Sequence, residues 1–254
     1  KEKNYKEVFK RYQEWFDVQT KGLLKTSLDL DDFKVSQRIY SSIIYYKGSW
    51  KNKFDIKKTK DDVFKLKKKG KTVRRKFMNN TEFYKFKTVA TKKIKYNIVA
   101  LPYSKEEVST DNKRVMVYLI PETRNVKSTD LWESFYEHSG GNIKETLFEC
   151  VRTKINLYIP KIEKLTSTFD TCDILYGIFK EKSSLYVKST MQTYLNVDEE
   201  GTEAVSAMTT IYTDGICTNK PSVITLKANV PHIAFIFDMD AERITNIINY
   251  NGKE

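Results

Sequence analysis

Residues 197–222 read VDEEGTEAVSAMTTIYTDGICTNKPS, a stretch that suits neither a strand nor a helix. It begins with a run of carboxylates and continues in Thr, Ser, Ala and Gly, and the strand-like SVITLKA follows it at 222–228. The rest of the chain is rich in Lys and aromatic residues. A segment of small residues of this length needs a reason beyond local secondary structure.

The composition is that of a folded protein. Of the 254 residues, 40% are hydrophobic and 13% aromatic, so the chain can bury a core, and one compact domain over 1–254 is the simplest organisation. No apolar run is long enough to span a membrane, so we expect no membrane partner. The chain begins at Lys1 without Met or a leader-like pattern, and we interpret this start as a cut or a missing beginning. Cys150, Cys172 and Cys217 are odd in number and widely spaced, which favours a reducing, intracellular setting over disulfides or a zinc site.

The net charge is +12, from 45 Lys and Arg against 33 Asp and Glu. The densest basic run, KKTKDDVFKLKKKGKTVRRKF at 57–77, interleaves acids and aromatics with its lysines. Such runs are usually the solvated face of strands and turns, which is our interpretation here. Binding of a polyanion by residues 57–76 is the alternative. The sequence has no RNA-recognition signature, Cys/His finger or helix-turn-helix pattern, so a nucleic-acid binder is a remote third hypothesis.

Periodicity predicts three helices. Apolar residues at helical spacing indicate a helix over 5–16, with Gly22 near its end. A second is predicted over STDLWESFYEH at 128–138, capped by Ser128 or Thr129, and a third over STFDTCDILYGIF at 167–179.

Strand patterns dominate the rest of the chain. A long central strand is predicted over 38–50. The other predicted strands lie at 82–89, 94–103, 114–121, 154–162 and 190–200, and three short ones end the chain, separated by Pro231 and a polar turn at 238–242. The predicted class is therefore α+β with antiparallel sheets dominating.

No catalytic constellation is evident. The sequence lacks the nucleophile-elbow, P-loop, zincin and dinucleotide-binding motifs and has only two histidines, His138 and His232. A Cys–His nucleophile pair stays open, but Cys150 lies in an apolar stretch typical of a core thiol, and His232 beside Pro231 is interpreted as structural. We predict that the protein is not an enzyme and uses no cofactor and no metal.

The opening stretch resembles the hinge and reactive loop of the serpin family. Serpins lead from a central strand through an acidic pair into small residues, which here are Glu199, Glu200, Gly201, Thr202, Glu203, Ala204, Ser206 and Ala207. Further segments resemble serpins in order and spacing: IYYKGSWKNKF at 44–54, VALPY at 99–103, VYLIP at 117–121, LYIPKI at 157–162 and LKANVPHIAFIF at 226–237. The resemblance implies a serpin fold, with a large mixed sheet A, sheets B and C and surrounding helices, that is N-terminally truncated or reduced. It also implies a reactive loop at about 201–222.

The resemblance also assigns roles to residues outside the loop. Trp50 and an ion pair between Lys161 and Glu199 would form the breach, the point at the top of the main sheet where the loop enters. Ser42 and Met191 occupy the shutter, where the family has Asn and His, and Met191 cannot donate the hydrogen bond made there. His232 stands where the family prefers Phe.

Inhibition by a suicide-substrate mechanism is the activity that the resemblance implies. A protease cuts the exposed loop, and the hinge then inserts into the main sheet as a new strand. Ala204, Ser206 and Met208 would share the buried face of that strand, where small side chains are needed.

The target depends on where the loop is cut. The commonest loop length puts the cut after Gly215, whereas a loop one residue shorter, as in intracellular poxvirus serpins of the cytokine response modifier A type, puts it between Asp214 and Gly215. Ile211, Tyr212, Thr213 and Asp214 would then attract proteases that require Asp, namely caspases and granzyme B, which would contact residues 208–218. Asp-Gly is also common in turns for local reasons.

These patterns lead to the expectation of a monomeric viral host-defence or apoptosis modulator in the cytoplasm of the infected host cell, with secretion as the alternative location. A non-inhibitory serpin-fold protein that binds a partner through its basic surface is the competing hypothesis. The composition of the hinge opposes it, and the shutter residues favour it.

Overall fold

The structure is a computed structural model that describes residues 4–36, 38–44, 48–104, 114–173, 177, 187–202 and 223–252. The chain divides into two compact units, one formed by 1–46 and 163–196 and the other by 47–162 and 197–254. Each unit is described by itself below. The expected single domain over 1–254 stays a prediction.

The described residues form helices and strands in both units. The helices are α1 (Tyr5–Thr20), α2 (Leu30–Val35), α3 (Ser128–Ser139) and α4 (Ile143–Glu149), with a short 3-10 turn at Ile56–Lys58. The strands are β1 (Arg38–Ile44), β2 (Gly48–Ser49), β3 (Lys60–Lys65), β4 (Thr72–Ala90), β5 (Lys95–Pro102), β6 (Arg114–Pro121), β7 (Val151–Pro160), β8 (Ile162–Asp170), β9 (Val187–Val197), β10 (Gly201–Thr202), β11 (Ile224–Lys227), β12 (His232–Asp238) and β13 (Arg243–Tyr250).

In the first unit, two helices pack on each other through aromatic rings. The Phe33 ring of α2 lies 5.2 Å from the Phe9 ring and 5.3 Å from the Tyr12 ring of α1, measured between centroids. The side chain of Asn4 caps α1 by accepting a hydrogen bond from the Glu7 amide. The helix predicted from periodicity is thus confirmed, and it runs four residues beyond Phe16, to Thr20.

The sheet of the first unit has the strand order β1-β9-β8. The first two strands run parallel and pair residue by residue from Arg38 opposite Val187 to Ile44 opposite Thr193. Parts of the two strands predicted at 38–50 and 190–200 thus lie side by side in one sheet.

Of the strand predicted over 38–50, the described residues form β1 at Arg38–Ile44 and β2 at Gly48–Ser49, and β2 pairs with β10 in a separate two-stranded sheet. One prediction in this region was wrong in part. The helix predicted over 167–179 begins too early, because Ser167–Asp170 belong to β8. The alternating Thr residues at 166 and 168 favour an extended chain there, and a neighbouring strand stabilises it. Among the described residues of that range, Cys172, Asp173 and Gly177 are helical.

The second unit is built on an eight-stranded sheet. Seven strands follow the order β11-β7-β4-β5-β6-β12-β13, and β3 pairs with one end of the 19-residue β4. The recorded pairs are antiparallel except β11 with β7, which agrees with the predicted dominance of antiparallel pairing. The three C-terminal strands and the turn between the last two are confirmed.

Aromatic side chains fill the core of this unit where α3 lies on the sheet. The ring of Phe235 lies 5.5 Å from that of Phe135 and 5.7 Å from that of Trp132, and both phenylalanines are fully buried. Burial of each such ring contributes about 1.5–3 kcal/mol to folding. All seven residues of β12 are buried, so the strand crosses the middle of the core.

The predicted helix over 128–138 is confirmed as α3, but its predicted cap is wrong. The residue at the N-cap position is Lys127, which makes no side-chain cap. The Ser128 hydroxyl instead accepts a hydrogen bond from Asn249 at 3.0 Å, and the Thr129 hydroxyl donates to Asp130 at 3.2 Å. Side chains engaged elsewhere are not available to cap the helix.

Candidate functional site: the hinge and the breach

Glu199, the first residue of the predicted hinge, anchors a polar cluster in the second unit. Its carboxylate accepts hydrogen bonds from Lys161 Nζ at 2.9 Å and from the Thr59 hydroxyl at 2.7 Å. Its main-chain carbonyl accepts from the Phe54 amide at 2.9 Å. The ion pair predicted between Lys161 and Glu199 is therefore confirmed.

The environment of Glu199 favours the ionised carboxylate. Burial by itself raises the pKa of Glu199, but the hydrogen bonds from Lys161 and Thr59 outweigh this effect, and the pKa lies below its ordinary value of 4.5. The side chain is 7% exposed and that of Lys161 is 20% exposed, so the pair is largely removed from water. The carboxylate therefore stays charged at neutral pH and holds the start of the hinge in place.

Trp50 joins the same cluster from the other side of the hinge. Its indole Nε1 donates to the Asp198 carbonyl at 2.8 Å, and its amide donates to the Glu200 carbonyl at 2.9 Å. The indole stacks on the Tyr103 ring with centroids 4.8 Å apart and planes 11° from parallel. One buried tryptophan thus binds the backbone on both sides of Glu199.

The next two hinge residues are docked as a strand. Gly201 pairs with Ser49 and Thr202 with Gly48 in the short antiparallel ladder of β10 and β2. Thr202 is 1% exposed, and its hydroxyl lies 2.7 Å from the Tyr103 hydroxyl. The first part of the hinge is therefore buried and hydrogen-bonded.

Gly201 is required at its position by backbone geometry. Its φ is +156°, and a Cβ placed on it would lie 2.2 Å from the Gly48 carbonyl oxygen and 2.7 Å from Ser49 Cα. Both clashing atoms are backbone and cannot rotate away. The glycine of the hinge motif is thus explained by the close approach of β10 to β2 as well as by the flexibility of glycine.

Sequence reasoning missed two members of this cluster. Tyr103 lay in the VALPY segment that carried the family resemblance, but nothing in that segment indicated its contact with Thr202. Thr59 lay in the basic run without a distinguishing signal. Their contacts join residues 99 and 140 positions apart in the sequence, beyond the reach of local patterns.

The shutter positions lie in the first unit. Ser42 is directly opposite Met191 in the parallel pairing of β1 with β9, and the Ser42 side chain is outside the described residues. The side chain of the neighbouring Gln192 connects β9 to the segment after α1. Its Nε2 donates to the Lys25 main-chain carbonyl at 2.9 Å, and its Oε1 accepts from the Ser27 main-chain amide at 3.1 Å. A buried amide beside Met191 thus provides polar links that the methionine cannot make.

The rest of the predicted site lies outside the described residues. This applies to the hinge residues Glu203, Ala204, Ser206 and Ala207, to the specificity residues Ile211, Tyr212, Thr213 and Asp214, and to Gly215 of the reactive bond. Their roles stay predictions.

Cys150 and His232 are both buried. The Cys150 thiol donates to the Thr146 carbonyl at 3.4 Å at the end of α4, and burial raises its pKa, so the thiol is protonated and poorly nucleophilic at neutral pH. The ring of His232 is surrounded by those of Phe64, Tyr118 and Tyr250, and burial lowers its pKa to about 4. Both residues have the surroundings of core residues.

The basic run forms the exposed surface of β3, the first part of β4 and the turn between them, as predicted. Phe64 and Phe77 are its buried anchors, and Lys227 pairs with Asp62 at 3.0 Å. Within the described ranges, no group of three or more His, Cys, Asp or Glu side chains is arranged to hold a metal ion. In the same ranges no helix has the length and apolar character needed to cross a bilayer.

Comparison with known proteins identifies the class. The family model "Serpin (serine protease inhibitor)" matches residues 2–248, so the chain belongs to the serpin family. Human Serpin B8 is 25% identical over 79% of this chain and 55% of its own length, and the leukocyte elastase inhibitor of Xenopus laevis is 28% identical over 78% and 54%. Serpin-ZX of Hordeum vulgare is 26% identical over 97% of the chain and 63% of its own length.

Solved structures show the same fold. A serpin from the trematode Schistosoma haematobium has a TM-score of 0.72 at 18% identity and covers 99% of this chain and 64% of its own. Native protease nexin-1 with heparin scores 0.75 at 15% identity, covering 96% and 65%. Thyroxine-binding globulin with thyroxine scores 0.68 at 17% identity, covering 98% and 66%. The serpin fold with its mixed sheets is thus confirmed, and the chain spans between about half and two thirds of the length of its curated relatives. Because these relatives are animal and plant serpins, the poxvirus resemblance stays a prediction.

Proposed function

We propose that the protein inhibits proteases as a suicide substrate through a reactive loop at about 201–222. Serpins are generally protease inhibitors, and the chain belongs to that family. The proposal concerns the whole protein, because the chain spans only part of the length of its relatives. Neither an enzymatic activity nor a cofactor is part of the proposal, and the partner is a protease.

The observation that carries the proposal is the direct parallel pairing of β1 with β9. The register runs from Arg38 opposite Val187 to Ile44 opposite Thr193. A strand entering between them that is antiparallel to both would replace one parallel ladder with two antiparallel ladders, which are slightly more stable per residue. The chain after β9 turns back at Asp198–Gly201, where the Asp198 amide donates to the Gly201 carbonyl at 2.9 Å. Gly201–Thr202, the described residues after this turn, run antiparallel to Gly48–Ser49.

The composition of the hinge supports the same mechanism. Within the described residues Gly201 and Thr202 pair with β2, and the sequence after them contains small residues, including Ala204, Ser206 and Ala207. In the proposed mechanism this segment inserts once the loop is cut. Small side chains can then enter between packed strands without a large steric or desolvation cost.

Asp214 is proposed as the residue that selects the target. A carboxylate just before the cut fits proteases whose primary pocket requires Asp, which are caspases and granzyme B. A caspase would attack with its Cys thiolate and remain bound through a thioester at the Asp214 carbonyl. We further propose that the protein is a monomer and modulates apoptosis or host defence in the cytoplasm of an infected cell, as an intracellular poxvirus serpin would. Secretion is the alternative location.

A non-inhibitory binding protein is the second candidate. Met191 at the shutter favours it, because its thioether cannot donate a hydrogen bond between strands that must separate and rejoin. Thyroxine-binding globulin, which shares the fold, is described in complex with thyroxine. The exposed basic surface over 57–76 would then carry the interaction.

The test is inhibition of caspase-1, caspase-8 and granzyme B by the parent chain, Asp214→Ala and Gly215→Ala. We expect Asp214→Ala to lower the second-order rate of inhibition by several hundredfold, equivalent to several kcal/mol, because the charge-assisted hydrogen bonds in the protease pocket are lost. Gly215→Ala should have a far smaller effect.

The cut site, mapped by mass spectrometry, separates the alternatives. A cut after Asp214 with a covalent complex supports the proposal. A cut after Gly215 with retained inhibition by Asp214→Ala retains the serpin mechanism and excludes Asp-specific targets. Absence of inhibition by the parent, in a preparation known to carry the N-terminal elements of the fold, favours the non-inhibitory candidate.

A further inference from the structure

A recess of about 510 Å³ opens in the second unit beside the turn between β3 and β4. Its lining is mostly apolar and includes Leu66 on the turn, Val126 before α3, Leu131 on α3 and Pro231 before β12. The volume lies within the range of small-molecule sites in proteins, about 300–1,000 Å³. The recess can therefore hold an apolar body of moderate size.

Three lysines form the rim of this recess. Lys67, Lys68 and Lys71 are all exposed, and within the described residues no carboxylate lies within 4 Å of their ammonium groups. The turn that carries them is fixed by hydrogen bonds from the Lys71 amide to the Lys68 carbonyl at 3.1 Å and from the Leu66 amide to the Lys71 carbonyl at 3.0 Å. The backbone of the turn is thus fixed, and the three lysines that it carries all line the recess.

The remaining polar lining contributes no opposing charge. No Asp or Glu is among the lining residues. His232 lines the recess with a neutral ring, because burial lowers its pKa to about 4, and the single ring proton is on Nδ1, which donates to the Val230 carbonyl at 2.7 Å. Asn249 is engaged with the Ser128 hydroxyl. Among the residues that line the recess, only the three lysines carry a charge.

We propose that this recess binds an amphipathic monoanion, whose apolar body contacts Leu66, Leu131 and Pro231 and whose carboxylate or sulfonate meets Lys67, Lys68 and Lys71. Leu66, which supplies apolar surface, and Lys67, which supplies charge, are adjacent in the same turn. An amphipathic anion matches this arrangement, because its apolar body and its charged group also lie next to each other. A polyanion would instead use the charge of the whole basic run and would gain nothing from the apolar floor. This site is independent of the reactive loop, so its test does not depend on protease inhibition.

The probe is 8-anilinonaphthalene-1-sulfonate, followed by fluorescence during titration of the intact chain and by displacement with dodecanoate. Dodecyltrimethylammonium, with the same chain length and the opposite charge, should not displace the probe. We expect one saturable site in the parent chain. The variant Lys67→Gln/Lys68→Gln/Lys71→Gln should bind about tenfold more weakly, since it loses three exposed charge contacts.

Two further variants separate a local site from general charge. Lys57→Gln/Lys58→Gln/Lys69→Gln removes the same charge from the same basic run at residues that do not line the recess, and its affinity should stay within about twofold of the parent. Val126→Trp places a large ring in the recess at a half-buried position and should abolish binding. Thermal unfolding checks that each variant is folded.

Equal weakening in the two triple variants would show long-range attraction and overturn the proposal. Unchanged binding in Val126→Trp, displacement by the cationic detergent, or absence of saturable binding in the parent chain would overturn it as well.

Discussion

Neutralising Glu199 should weaken the attachment of the hinge by an amount that depends on pH. In Glu199→Gln, the amide keeps the size of the carboxylate and one acceptor oxygen, but the 2.9 Å ion pair with Lys161 is lost. Neutralising one partner of a fully buried pair costs about 3–5 kcal/mol. Because a fifth of the Lys161 side chain is exposed and the amide can still bond to Thr59, we expect a loss of about 2 kcal/mol at pH 7.

The pH dependence has a defined sign. Since the pKa of Glu199 in the folded chain lies below 4.5, its contribution is fully present above pH 4.5 and is lost as the pH falls through the folded-state value. The difference between parent and Glu199→Gln should therefore shrink in acid. Other carboxylates titrate in both proteins and cancel in the difference.

The assay is urea unfolding at pH 7 and in a series of buffers below pH 4.5, with Glu200→Gln as the matched control. Glu200 is the adjacent carboxylate, about half exposed, and pairs with Lys53, so its neutralisation should cost no more than about 0.5 kcal/mol. A double-mutant cycle with Lys161→Met should give a coupling energy of about 1–2 kcal/mol. Equal losses for the two glutamine variants, or a difference that persists unchanged in acid, would refute the reasoning.

Three further predictions concern the hinge and the core. Thr202→Arg should abolish inhibition while leaving the loop cleavable, because a guanidinium does not fit the buried position of Thr202 beside Tyr103 and would also be buried without a partner in an inserted strand. Thr202→Val should retain inhibition, and an Arg variant that inhibits as well as the parent excludes loop insertion. Gly201→Ala should detach β10, because its Cβ would lie 2.2 Å from the Gly48 carbonyl oxygen; faster hydrogen exchange of the Trp50 amide is expected, and an unchanged rate contradicts the prediction. His232→Phe should remove part of the acid sensitivity of folding. The folded pKa of His232 is lowered from 6.5 to about 4, so the parent loses about 3 kcal/mol as the pH falls from 6.5 to 4, and equal slopes of unfolding free energy against pH in both proteins would contradict this.

Strong local patterns predicted their elements correctly. The helix over 5–16 was predicted because one side of it must be apolar, and that requirement determines the spacing of its residues. The strand β12 was predicted because it is buried on both faces and therefore forms a continuous apolar run. The α4 helix was missed because its seven residues have no long periodic run, although Asn142 caps it. The cap of α3 was predicted at the wrong residue, because Asn249, far away in the sequence, occupies the Ser128 hydroxyl.

The segment 197–222 could be identified by its resemblance to the serpin hinge, because the acidic pair and the small residues after it are visible in the sequence without coordinates. Apart from Lys161, which the family resemblance assigned to Glu199, the partners of the hinge could be determined only by the tertiary structure. Ser49 opposite Gly201, Tyr103 beside Thr202 and Thr59 beside Glu199 are brought together by pairing and packing of distant segments. A sequence pattern specifies which face of a strand is apolar, but the strand's neighbour is chosen by the packing and register of the whole sheet, which no local pattern contains.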